Sequence, residues 1–478
     1  MTDSAVKAAR DRVFAHIRAA GAQMVDIKFC DIIGRWRHIT VPADQFSEQI
    51  FADGIPFDGS SVPGLTRVES SDLLLIPDPS TSFMDPFVQV PPLALIANIC
   101  RADTREPFAR DPRSVAARAQ AVLGKLDLAD SMLMSPEFEF YVFESVRHRH
   151  LPHAAGYIVE SAEGEWNTYR QPAEGYQPTN VNPRKSGYHA LPPRDSLDGL
   201  RTEVSLRLKE TGLNIRYHHH EGGGPGQCEI EILPVPLLRA ADAVLLTKYF
   251  VRMTAHSHGR VATFMPKPIH NEAGSGMHVH QYLARDGASA FYDDQGWAQL
   301  SKTALHYIGG LLDHGAALTA LTNPSTMSFR RLVPGYEAPV TLTFGPGDRT
   351  AAVRIPAVAR PRDEHRIEYR PPDGTCNIYL ALAGMLMAGL DGIRRELDPL
   401  QAGLAPSANA GAENVSPALP GDLDAALRAL EEDHAFLLED GVFSQDLLED
   451  WIQLKRTREL DEIARRPHPY EYFLYMDL

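Results

Sequence analysis

Four short runs place ionisable side chains two residues apart, the spacing that puts them on one face of an extended strand. In PEFEF, Glu137 and Glu139 alternate with Phe138 and Phe140, and in CEIEI, Glu229 and Glu231 alternate with Ile230 and Ile232. MHVH pairs His278 with His280, and RIEYR carries Arg366, Glu368 and Arg370. One such run describes a strand with a solvated face. Four together describe an interior cavity, where crowded carboxylates repel unless a cation sits among them. Ligation mainly by carboxylates suits Mg²⁺ or Mn²⁺ better than zinc. A further run, His218-His219-His220-Glu221, leads into the glycine turn GGGPG and then Glu229. Taken alone, it is equally a surface loop that binds metals adventitiously.

The chain carries a formal net charge of −15, so its average surface repels nucleic acid and anionic lipid. Anionic ligands would have to meet local positive charge, and six arginines cluster in one stretch: Arg349, Arg354, Arg360, Arg362, Arg366 and Arg370. No H-E-x-x-H, G-x-S-x-G or G-x-x-x-x-G-K-[ST] run occurs. A bound nucleotide would therefore have its phosphates held by metal ions and arginines.

The elements that must carry these residues form a mixed chain. A helical pattern to about Ala20 precedes two alternating strands, Met24 to Phe29 and Arg35 to Val41, with Asp31 and Gly34 in the turn. Loop chemistry from Ala52 to Gly64 is followed by strand-like runs Leu73 to Ile76 and Leu93 to Ile99. The charged segment Arg101 to Arg113, with Pro107 and Pro112, reads as a linker. It sets a domain boundary near residue 105, dividing 1–105 from 106–478, with a helix from Arg113 to about Leu128. Further helices are expected over Ser196–Thr211, Ala240–Ala255, Gln299–Leu312, Asn377–Glu396 and Leu423–Leu438, with an exposed loop over Asp398–Gly421. The spacing lacks a regular β-α-β rhythm, and no internal repeat is evident.

At 478 residues, with 44% hydrophobic and 23% charged side chains, the composition is that of a globular protein able to bury a sizeable core. The longest apolar run, Leu380 to Leu390, falls short of the ~18–20 residues that span a bilayer. The first 20 residues are too charged for a signal peptide. Four cysteines without a C-x-x-C pair suggest neither a disulfide framework nor a zinc finger. A soluble protein of the reducing cytoplasm is expected.

From about residue 15 to its end the chain resembles class I glutamine synthetases of the bacterial type. The carrying motifs are FDGSS with ESSDLLLIPD (Phe57 to Asp78), PEFEF, HHHE with a second Glu eight residues on, and GSGMHVH (Gly274 to His280). NPSTMSFRRLVPGYEAPV (Asn323 to Val340) and RIEYRPPD (Arg366 to Asp373) complete the set, in order.

The resemblance implies an α+β fold: a small N-terminal β-grasp domain, and a large catalytic domain whose antiparallel sheet forms a metal-lined cavity. It implies two stacked six-membered rings, a homododecamer, with each active site completed by a neighbour's FDGSS segment. Glu139, Glu221 and Glu229 would hold a first divalent metal, and Glu137, His278 and Glu368 a second. Arg331, Arg370 and the backbone at Ala273 and Gly274 would bind glutamate. Arg349 and Arg354 would hold ATP phosphates, joined by Arg366, with His280 near the nucleotide. Asp58, Ser61, Tyr188 and Glu221 would form the ammonium pocket, Asp58 acting as base, and Glu337 would close over the intermediate. Glu231 matches no ligand position, and Arg360 and Arg362 read as surface charges.

Some positions depart from the family pattern. Gln401 to Pro420 lacks the tyrosine that receives adenylate in one subgroup, so control by adenylylation is not expected. Leu65 stands where many members have tryptophan, Arg216 where glutamate is common and Tyr282 where serine is frequent; one residue is inserted between Arg354 and Arg366. The expected reaction is ATP-dependent ligation of ammonia to glutamate through γ-glutamyl phosphate. Relatives that attach glutamate to methylamine, ethanolamine or polyamines provide the alternative.

Overall fold

The computed structural model describes residues 3–126, 128–166, 181–357, 364–402 and 417–478. Arg360 and Arg362, and most of the adenylylation-loop counterpart, lie outside them.

The N-terminal part is a five-stranded sheet in the order Trp36–Pro42, Met24–Cys30, Leu93–Arg101, Asp72–Met84, Ile55–Asp58. Met24–Cys30 runs parallel to Leu93–Arg101 at the centre, and the remaining pairs are antiparallel. Val25, Ile27, Phe29, Leu75, Leu95 and Ile99 fill one core, and Val13 of helix Asp3–Ala20 packs into it. That is the β-grasp arrangement, and every fully buried aliphatic side chain there contributes roughly 1.5–3 kcal/mol.

The strand expected over Leu73–Ile76 extends to Met84. Pro77 and Pro79 mark its end in the sequence, but the neighbouring short strand pairs only with Asp72–Leu75. Beyond that the strand has a free edge, where proline is tolerated.

The polar joints that bind this sheet to the rest include two buried ones. Asn377 Nδ2 donates to the carbonyls of Asp31 and Ile32 at 3.2 and 2.9 Å. Buried Arg113 reaches Asp78 at 2.8 Å and Asp242 at 2.9 Å, and Tyr379 donates to the same Asp242 at 2.7 Å. Removing one member would leave an uncompensated buried charge.

The larger sheet has ten strands. Its main path runs Thr341–Pro346, Ala351–Ile355, Ile367–Tyr369, Met277–Arg285, Ser131–Phe143, Gln227–Ile232, Ile215–His220. The sheet is antiparallel as expected except at Thr341–Pro346 with Ala351–Ile355, which pair in parallel. Phe138, Phe140, Ile230, Ile232, Met277 and Val279 form its buried back. Helix Leu237–Ser257 packs there, and helix Ile378–Arg394, apolar and buried over most of its length, packs beside it.

Two of the expected helices, Arg113–Leu128 and Leu423–Leu438, are interrupted in the structure. The helix after the linker is Pro112–Val122, followed by a tight turn Leu123–Lys125. The last amphipathic stretch breaks at Asp433 into Leu423–Glu432 and Ala435–Leu438. Among the described residues no helix is long and apolar enough to cross a membrane.

Candidate active site

Strand register turns the alternating runs into a single polar face. Glu139 stands opposite Glu229, which stands opposite His219 on the next strand. One step along, Tyr217, Glu231, Glu137 and His278 form a second row across four strands. His280, two residues beyond His278, stands opposite Glu368, which stands opposite Arg354. The aromatic and aliphatic residues between them point into the core behind.

Ligand-capable atoms converge there in overlapping groups, each within 4.8 Å: Glu137, His278 and Glu368; Glu137, Glu139 and Glu229; His219, Glu221 and Glu229; Glu137, Glu231 and His280. The first is the expected second-metal set. The expected first set is bridged: Glu229 joins Glu139 in one group and Glu221 in another.

The charges within this face are not balanced. Burial pushes the Glu221 carboxyl up to about 9, helped by Glu139 and Glu229. Glu229 is likewise raised well above the carboxylate range by burial and by Glu137, Glu139, Glu231 and Glu368. Burial would raise Glu137 too, but hydrogen bonds with His278 and His280 outweigh it and hold it well below its ordinary value. Glu368, also buried, is held at about 2 by His280 and Arg370. Among the described residues, Glu221 Oε2 and His280 Nδ1 are buried without a hydrogen-bond partner. A surplus of buried carboxylates with unpartnered donor atoms fits divalent cations, whose charge would let all of them ionise.

All of these residues except Glu231 line a cavity of about 1200 Å³. Of the other candidates, Tyr188, Ala273, Gly274, Arg331, Glu337, Arg349, Arg354 and Arg370 also line it.

The family described as "Glutamine synthetase, beta-Grasp domain" matches residues 21–102, and that described as "Glutamine synthetase, catalytic domain" matches residues 109–475. A glutamine synthetase of Frankia alni is 45% identical over 473 residues, covering 98% of each chain. One of Nostoc sp. is 41% identical, covering 98% of this chain and 99% of its own. The glutamine synthetase of Mycobacterium tuberculosis gives 41% with the same coverage. The chain belongs to the glutamine synthetase family. A Plasmodium falciparum glutamine synthetase solved by electron cryomicroscopy shares the fold, with a TM-score of 0.89 over 97% of this chain and 98% of its own at 24% identity.

The glutamine synthetase motifs acquire physical reasons in this geometry. Arg331 is buried, its Nη1 donating to the carbonyls of Pro371 and Pro372 at 2.6 and 3.2 Å and its Nη2 to that of Arg370 at 3.1 Å. These bonds fix the guanidinium beside His278, 3.4 Å from its Nε2. The glycines of GSGMHVH give it room: a Cβ on Gly276 would lie 2.4 Å from Arg331 Nη2 and 2.8 Å from His278 Nε2. Arg370 ties the upper edge together, donating to the carbonyls of Arg349 at 3.0 Å and Glu337 at 3.2 Å while pairing with Glu368. Glu337 has φ +54°, a left-handed conformation uncommon outside glycine. Beside it the Tyr336 ring lies under two ammonium groups, Lys267 at 3.5 Å and Lys185 at 4.1 Å from its centre.

Three candidates lie elsewhere. Arg366 does not line the cavity; it is buried, with Nη2 3.3 Å from Glu231 Oε1. Asp58 and Ser61 are exposed on the N-terminal part and do not line the cavity of their own chain. Asp58 accepts hydrogen bonds from Ser60 and Ser61 hydroxyls at 2.6 Å each, which keep its carboxyl below its ordinary value.

Of the departing positions, Leu65 is buried in the N-terminal core and Tyr282 is buried without lining the cavity. Arg216 has a clear partner: its Nε lies 3.0 Å from Glu231 Oε1. Glu231 is thus clasped between Arg216 and Arg366. His219 belongs to the His218–Glu221 run but has no role assigned from the sequence; it reaches Glu229 at 3.1 Å and Glu221 at 3.6 Å. Its position two residues before Glu221 was the available signal.

Proposed function

We infer that this chain joins ammonia to the γ-carboxylate of L-glutamate at the expense of ATP, giving L-glutamine, ADP and phosphate. The observation that carries the reading is the similarity to glutamine synthetases over 98% of the chain, with all six expected ligand residues lining one cavity.

Glu139, Glu221 and Glu229 would hold one Mg²⁺ or Mn²⁺, and Glu137, His278 and Glu368 a second. Such ions supply charge neutralisation for phosphoryl transfer. Arg331 and Arg370, with the backbone at Ala273 and Gly274, orient glutamate so that a γ-carboxylate oxygen faces the γ-phosphorus of ATP. That oxygen bonds to phosphorus as the bond to the ADP oxygen breaks, while Arg349 and Arg354 offset the charge on the transferring group; His280 faces the nucleotide. Ammonium binds among Asp58, Ser61, Tyr188 and Glu221. Asp58 takes its proton, the freed ammonia attacks the acyl carbon, and phosphate leaves. Glu337, on a loop tied down by Arg370, shields the acyl phosphate from water.

Asp58 would come from a neighbouring subunit in two stacked six-membered rings. Its exposure on the N-terminal part supports that reading. Four free, buried cysteines support a reducing compartment, the cytoplasm.

The test is product identification by mass spectrometry with ATP, Mg²⁺ and glutamate, offering ammonium, methylamine, ethanolamine or putrescine in separate reactions. Glutamine as the dominant product is expected. A substituted γ-glutamyl amide with little glutamine would overturn the acceptor, and no product in any reaction would overturn the function.

A further inference from the structure

A second cavity of about 590 Å³ lies between the Ile33–Trp36 turn of the N-terminal sheet, helix Leu237–Ser257 and the C-terminal helical segment. It shares no lining residue with the active-site cavity. Its size is within the range of small-molecule sites, and its charge is opposite to that of the chain. Arg35, Lys248, Arg252, Lys455 and Arg458 line it, against one carboxylate, Glu459. Glu459 is taken by Lys455 at 2.5 Å.

The other four cations have no carboxylate partner among the described residues. Lys248 is buried, and its ammonium donates to the Gly374 carbonyl at 2.6 Å. Burial and the nearby Arg252 draw its pKa down to about 8. Arg252 is in turn lowered by burial and by Arg35. Like charges thus gather around one space, and an anion entering it would meet them with no unpaired carboxylate among the lining residues. Trp36 lines the same wall, and its Nε1 is a buried donor without a hydrogen-bond partner among the described residues. Indole N–H groups donate only, so it too asks for an acceptor.

We propose that this cavity is a binding site for a small, multiply charged anion, held by Arg35, Lys248, Arg252 and Arg458 with Trp36 Nε1 donating to it. The chemistry is that of a polycarboxylate or a phosphate, both of which guanidinium groups bind through paired N–H donors.

The test is calorimetric titration of the full chain with citrate and, separately, inorganic phosphate, at matched ionic strength without divalent metal. Saturable binding of at least one is expected, and which one distinguishes carboxylate from phosphate recognition. Arg35, Arg252 and Arg458 are exposed enough to replace without disturbing the core. Arg252→Ala and Arg458→Ala should each weaken binding at least about tenfold, with thermal unfolding unchanged. Arg349→Ala, in the other cavity, should leave it intact. Binding should also change tryptophan fluorescence, and Trp36→Phe should abolish that change. No saturable binding to the wild-type chain would overturn the proposal. So would binding that survives Arg252→Ala and is lost in Arg349→Ala.

Discussion

His278 Nδ1 lies 2.8 Å from Glu137 Oε1, across the strand pair that sets residue 278 directly opposite residue 137. Register alone creates this contact, because the two residues are 141 positions apart in the chain. It joins a base to a carboxylate at the centre of the polar face, and both belong to the proposed second metal set. His278→Ala should therefore weaken Mn²⁺ binding at least about tenfold by calorimetry, given what even indirect ligand supports contribute. Unchanged affinity would remove His278 from the ligand set.

Gly276 offers a sharper probe of the glutamate side. An alanine there would press on both Arg331 Nη2 and His278 Nε2. Overpacking of this kind costs about 1–3 kcal/mol. Gly276→Ala should raise the KM for glutamate at least about tenfold while leaving the chain folded by circular dichroism. A glutamate KM equal to that of the wild type would mean that Arg331 is not positioned by this glycine.

How much of this face was legible in the sequence depends on the residue. Two-residue alternation fixed which side chains share a face, so Glu137, Glu139, Glu229, His278 and Glu368 were found without coordinates. Alternation says nothing about which strands are neighbours. That is why the sequence assigns no role to His219, opposite Glu229, and does not show that Arg366 turns to Glu231 and not to the cavity. Its guanidinium is consumed by Glu231, which needs a counter-charge because it is fully buried. The β-grasp strands were legible where turns bounded them, and the parallel pair Thr341–Pro346 with Ala351–Ile355 was not, since parallel partners leave no hairpin signal.

The proposed sharing of sites between subunits can be tested by mixing. Asp58→Ala and Glu229→Gln should each abolish glutamine formation. If Asp58 and Glu229 of one site come from different chains, dissociating and reassembling equal amounts should restore roughly a quarter of wild-type activity. A mixture as inactive as its components would contradict a shared site.

A pH dependence follows far from the active site. His314 bonds Asp433 through Nδ1 and Asp391 through Nε2, each at 2.8 Å, and stacks on Phe436. Burial lowers its pKa, but the two carboxylates outweigh burial and leave it above the ordinary 6.5. A raised histidine contributes stability that is full below about 6.5 and is lost as pH climbs through the folded value. Thermal melts should show Tm falling over that window, with a flatter profile and a lower Tm below it in His314→Gln. Parallel profiles for the two proteins would show that His314 does not titrate on unfolding.

The central claim is that the γ-carboxylate of glutamate is phosphorylated before nitrogen enters. It is tested most directly by supplying glutamate with both γ-carboxylate oxygens replaced by ¹⁸O and following the label into inorganic phosphate. Attack of that carboxylate on ATP, followed by displacement by ammonia, transfers one labelled oxygen to phosphate with each glutamine formed. Phosphate free of label while glutamine accumulates would contradict the acyl phosphate and the mechanism built on it.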